Sequence, residues 1–146
     1  MASRRNLAAT GHNVQRHFLV IAFIFAQSAE PAATGLDGHW RNPSGSVIIS
    51  IAPCGDSFCG RVQWASEKAA ADARKSGTDS LIGAELLSDI VPRSEGRWRA
   101  RLFVPDLNKT SSVELRFTGP NRMKVTGCAV GRIVCKSQIW SRTQAE

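Results

Sequence analysis

Residues 52–60, Ala-Pro-Cys-Gly-Asp-Ser-Phe-Cys-Gly, constrain the fold of this chain more tightly than any other stretch. An apolar, β-branched run (47–51) leads into them. A run in which Phe58, Val62 and Trp64 alternate with Cys59, Arg61 and Gln63 leads out. Gly55-Asp56 supplies turn chemistry, and Pro53, which has no N–H, marks the expected end of ladder pairing. Cys54 and Cys59 then stand where a hairpin brings its two arms together, so a disulfide can clamp them. Cys128 and Cys135 repeat the device near the end of the chain. Four cysteines permit three pairings. The two brackets favour Cys54–Cys59 with Cys128–Cys135, as expected of a small domain in an oxidising compartment. The C-x4-C and C-x6-C spacings are not those of zinc knuckles, so no metal is expected.

The first 28 residues read as a secretory signal peptide. They hold Arg4, Arg5 and Arg16 and no acid, then a nine-residue apolar core at 18–26, then small residues at Ala26 and Ser28. The core is too short to span a bilayer, which takes about 20 residues. A periplasmic or secreted location is therefore expected. Residues 29–36 read as a flexible lead, and 37–146 as one domain. The whole chain has 19 basic and 12 acidic side chains. Without the three arginines of the signal, 16 basic groups face 12 acidic ones, a net +4. Such a charge attracts anionic envelope surfaces only weakly, and peripheral envelope contact is expected rather than nucleic-acid binding.

From Asp37 onward the pattern is short strands and turn signals. Gly38-His39-Trp40-Arg41 is the first strand, stopped by Asn42-Pro43-Ser44-Gly45. Residues 65–77 interrupt the series with an alanine-rich segment that predicts a short surface helix, with Ser66 as N-cap and Gly77 as its stop. Residues 81–91 fit a strand or a short helix equally. In 97–102 three arginines share one face and Trp98, Ala100 and Leu102 the other. Asn108, able to take a left-handed conformation, turns the chain. Val113, Leu115 and Phe117, then Met123 and Val125, define two more strands, and 133–142 the last. Seven or eight antiparallel strands in a meander close naturally into a barrel, which leaves no unpaired edge.

Several of these residues in order resemble the bacterial domain-of-unknown-function family number 2147. They are 51–56 with Cys59, Gly60 and Trp64, then Gly96-Arg97-Trp98, Gly127-Cys128 with Cys135, and Gln138-x-Trp140-x-Arg142. The resemblance runs from about Gly38 to Arg142. It implies export, an all-β, antiparallel up-and-down lipocalin- or calycin-like barrel of about eight strands with one short surface helix, and no established activity. Gly38-x-Trp40 and Trp140-x-Arg142 look like the closing signature of calycin barrels. On that likeness Arg142 stacks over Trp40 and caps one end by a cation–π contact. The sequence departs from the family near Pro105: Phe103 and Ser111 stand where two tyrosines are usual, and Asn108 replaces a glycine.

Catalytic chemistry finds little support. His39 is the only histidine beyond the signal, no Gly-x-Ser-x-Gly elbow is present, and neither cysteine pair has the C-x-x-C spacing of thiol exchange. No cofactor is expected. Arg97, Arg99 and Arg101 read as a solvent face with cross-strand pairing, for example to Glu114. The expected role is binding of a small apolar or amphipathic ligand in the barrel, with Trp64, Trp98 and Phe103 as lining residues. The alternative is a filled barrel that serves as an envelope structural or interaction module.

Overall fold

The computed structural model describes residues 35–94, 96–129 and 134–144. The signal peptide and most of the flexible lead expected from the sequence lie outside the described residues. Eight strands form one closed antiparallel barrel, each paired to the next in chain order and β8 paired back to β1. They are β1 (Gly38–Arg41), β2 (Val47–Cys54), β3 (Ser57–Ala65), β4 (Glu85–Ser94), β5 (Arg97–Val104), β6 (Lys109–Gly119), β7 (Arg122–Ala129) and β8 (Val134–Thr143). One helix, α1 (Glu67–Lys75), stands between β3 and β4.

The strands follow from alternation. Val47, Ile49 and Ile51 of β2, Trp98 and Ala100 of β5, Val113 and Leu115 of β6, and Met123 and Val125 of β7 point inward to one core. Their neighbours are exposed or half-buried, except Ile48, which is fully buried. Burying the Val, Ile, Leu and Met side chains among them stabilises the fold by about 1.5–3 kcal/mol each.

Between β2 and β3 the turn is only Gly55-Asp56, with Gly55 at φ 65°. Pro53 does not end the pairing as expected: it stays in β2 opposite Phe58, and β2 runs on to Cys54. A proline is tolerated in a strand wherever its missing N–H is not called on. The disulfides are Cys54–Cys59 and Cys128–Cys135, one at each end of the barrel. The 81–91 stretch resolves into a loop followed by β4, whose pairing is interrupted by register shifts on both sides. Asp89 sits in the shifted segment with φ 51°.

α1 is capped as its sequence demands. The Ser66 hydroxyl accepts from the Ala69 N–H at 3.1 Å, Glu67 lies in the first turn, and Arg74 and Lys75 in the last. Ala73 is fully buried against the core, and the Ser76 hydroxyl donates to the Asp106 carbonyl at 2.7 Å. The helix is thereby tied to the β5–β6 turn, across one end of the barrel.

Candidate functional site

The two ends of the barrel differ in chemistry. One end is plugged. Trp40, fully buried, donates its indole N–H to the Leu36 carbonyl at 2.9 Å. Its ring stacks at 5.9 Å on Phe117, and Phe117 meets Trp98 edge-on at 5.1 Å. Arg142 lies over the Trp40 ring, its guanidinium carbon 4.4 Å from the centroid. The same guanidinium donates to the Asp37 carbonyl at 2.7 Å and to the Gly35 carbonyl. Gly38 makes room for it: a Cβ there would stand 2.8 Å from the arginine nitrogen, and the backbone has φ 116°. A left-handed φ and a close approach both call for glycine. The Gly-x-Trp and Trp-x-Arg elements are thus neighbours across the β1–β8 seam, with Trp40 opposite Arg142.

The other end opens into a cavity of about 550 Å³. Its apolar wall is made by Val47, Leu81, Leu86, Leu102, Phe103 and Trp140. Its rim is polar. Asn42 organises the β1–β2 loop: its Oδ1 accepts from the Ser46 and Val47 N–H groups at 2.9 and 3.1 Å, and its Nδ2 donates to the hydroxyls of Ser44 and Ser46. Also at the rim, Lys68 and Asp72 of α1 pair at 2.5 Å, with Lys75 reaching the other oxygen of Asp72 at 3.3 Å. Asp106 adds a second carboxylate. Trp140 marks the junction of wall and rim, donating its indole N–H to the Gln138 side-chain oxygen at 3.2 Å.

Electrostatics at the rim are local. The hydrogen bond to Asp72, then its charge, holds Lys68 above its ordinary value. The hydrogen bonds from Lys68 and then Lys75 hold Asp72 below its own. Both groups stay charged at neutral pH. The cavity therefore offers a shaped apolar interior, hydroxyls and amides, and an internally compensated ion pair. Its lining includes no histidine or cysteine. The one cluster of metal-ligating residue types among the described residues is Cys54, Cys59 and Glu85, and both of its sulfurs are joined in the disulfide.

Of the three side chains expected to line a ligand cavity, Phe103 lines it. Trp98 does not: it sits on the inner face at the far end, buried in the aromatic plug. Trp64 does not either. The register of β2 and β3 shifts between Ile48 and Ile49, leaving Gln63 unmatched, so Trp64 pairs with Ile48 on the outer face. There Arg41 lies 6.0 Å above its ring. A bulge of one residue inverts the side-chain parity beyond it. Trp140, expected to act in barrel closure, faces the cavity instead, two residues before the Arg142 that performs the closure. Asn42 and Gln138 read in the sequence only as a turn residue and a family motif letter, and Ser46 and Leu86 carry no site signal, because the four become neighbours only when the barrel closes.

Comparison with known proteins agrees with this architecture. A family model described as an uncharacterized protein conserved in bacteria (DUF2147) matches residues 38–142. Among solved structures, the chain is similar to protein HP1028 from the human pathogen Helicobacter pylori, described as belonging to the lipocalin family. Identity is 12%, the TM-score is 0.58, and the match covers 75% of this chain and 83% of that one. At that identity the likeness is one of fold. No curated protein matches.

Proposed function

Since this chain belongs to the DUF2147 family and folds as a lipocalin-like barrel, we propose that it is an exported binding protein for a small amphipathic molecule. The observation that carries this reading is the asymmetry of the barrel: one end plugged by Trp40, Phe117 and Trp98, the other open to a cavity of about 550 Å³. That volume falls within the roughly 300–1,000 Å³ of small-molecule sites, and an apolar wall with a few polar groups is their usual lining. A hydrocarbon or aromatic portion would lie against Leu86, Leu102, Phe103 and Trp140. A neutral or zwitterionic head would meet the hydroxyls, Gln138 and the Lys68–Asp72 pair at the rim. The two disulfides suit an oxidising, exported setting.

Native mass spectrometry of the chain isolated from bacterial cells, before and after organic extraction, tests the proposal. The expected result is a discrete additional mass that extraction removes. An extracted protein should then bind an environment-sensitive amphipathic dye. Phe103→Ala should weaken that binding about tenfold, from about 1.4 kcal/mol of lost contact, while Trp98→Phe leaves it unchanged. A clean apoprotein that takes up no dye would favour the filled-barrel module, as would uptake that responds equally to both variants.

A further inference from the structure

We infer that the outer face of β5, β6 and β7 is an electrostatic docking surface for a layer of phosphate-bearing lipid headgroups. The inference concerns a different surface from the cavity and does not depend on what the cavity holds.

Alternation sends Arg97, Arg99 and Arg101 of β5, Arg116 of β6, and Arg122 and Lys124 of β7 to this face. Glu114 is the one acid on these three strands. Neighbouring strands lie about 4.8 Å apart and residues two apart on a strand about 6.7 Å. Six cations therefore occupy a patch roughly 20 Å by 10 Å. With Glu114 the face carries a net +5, against +7 for the whole chain.

Folding does not explain the arrangement. Arg97 stands directly opposite Arg116, and Arg116 directly opposite Lys124, a like-charge row across three strands. Like charges directly opposite each other destabilise a sheet. Glu114 compensates little: it lies 4.0 Å from Arg97, and both side chains are about half exposed. Among the described residues Arg99, Arg101, Arg116, Arg122 and Lys124 make no ion pair. A rule of sheet stability broken without a return in packing points to a partner that supplies the missing anions.

The face also has relief. Beside the interrupted pairing of β4 and β5 lies a recess of about 300 Å³, lined by Asp89, Val91, Arg99, Ala100, Arg101 and Ser112. Two guanidinium groups and a hydroxyl suit a phosphate oxygen set, and they outnumber the one carboxylate. The face carries no exposed aromatic ring, which stacking on single-stranded nucleic acid would need. A disulfide-bonded protein outside the reducing cytoplasm meets lipid headgroups as its most abundant phosphate array.

Vesicle partition tests this. The chain as isolated from bacterial cells should partition onto vesicles with 30% phosphatidylglycerol far better than onto pure phosphatidylcholine, and the excess should fall as salt rises. Replacing Arg99 and Arg101 by glutamine together should lower the excess about 25-fold, at about fivefold per basic residue. Replacing Arg74 and Lys136, which lie off this face, removes the same charge and should leave most of the excess intact. Equal partition onto both vesicle types would overturn the inference, as would equal loss in both double variants. Retention by dextran sulfate or DNA without vesicle partition would overturn it too.

Discussion

Gly38 shows how one residue sets a geometry. Its φ of 116° lies where side chains are strained, and the arginine nitrogen 2.8 Å from an added Cβ is held by the Asp37 carbonyl while the other terminal nitrogen is held by that of Gly35. Gly38→Ala should therefore cost about 1–3 kcal/mol, measured as a lower midpoint in urea unfolding, and should displace Arg142 from the Trp40 ring. Indole fluorescence reports the displacement directly. The same scale shows what composition and pattern reveal. The Trp40–Arg142 partnership was legible in Gly-x-Trp and Trp-x-Arg, because a likeness to calycin barrels attaches a geometry to those letters. Trp64 was misplaced because nothing in Arg61-Val62-Gln63-Trp64 announces that Gln63 will be left unmatched. Bulges are set by how two strands meet.

At the level of elements, β5, β6 and β7 were readable because each alternates over a core that covers one side, and β1 and β2 because turn residues bound them. β4 was not, since two register shifts and a left-handed Asp89 break its period. The paired cysteines bracket their hairpins with 5 and 7 residues of separation. Such short loops restrict the unfolded chain modestly, so replacing either pair by serine should cost about 2 kcal/mol. Differential unfolding with and without reductant checks the figure. α1 carries a pH prediction. Asp72 is held below its ordinary 3.8, so its contribution is complete above that value and is lost as pH falls through the lower folded one. Lys68 is raised above its ordinary 10.5, so its contribution is complete below that value and is lost as pH rises through the higher folded one. The stability difference between wild type and Asp72→Asn should therefore be flat from about pH 5 to about pH 10, shrinking in acid as Asp72 is protonated and in strong base as Lys68 loses its proton. Because the pair is exposed at the rim, the difference is small. A difference that varied across neutral pH would show another group titrating with it.

For the molecule as a whole, the barrel was readable and the cavity was not. Strand count and the wish of a meander to hide its edges lead to closure. The cavity draws its lining from the β1–β2 loop, α1, Leu81 and Leu86 before and within β4, the end of β5 and the middle of β8. Those segments are far apart in sequence, and only the closed ring brings them together. Phe103 illustrates the difficulty. By strict alternation it belongs with the arginines of β5, yet at the strand end it turns to the cavity and packs against the core.

The clasp of Arg142 on the backbone before β1 joins residues 105 and 107 positions apart. Contacts that distant carry the largest loop-closure cost and are made after the local hairpins have formed. The clasp is thus expected to form only after the chain has crossed its folding barrier. Its effect is on lifetime: Arg142→Ala should leave the refolding rate nearly unchanged and raise the unfolding rate by most of the lost stability. Stopped-flow chevrons would show a shifted unfolding limb alone. Such a barrel is expected to close before its latch engages and, once latched, to reopen slowly.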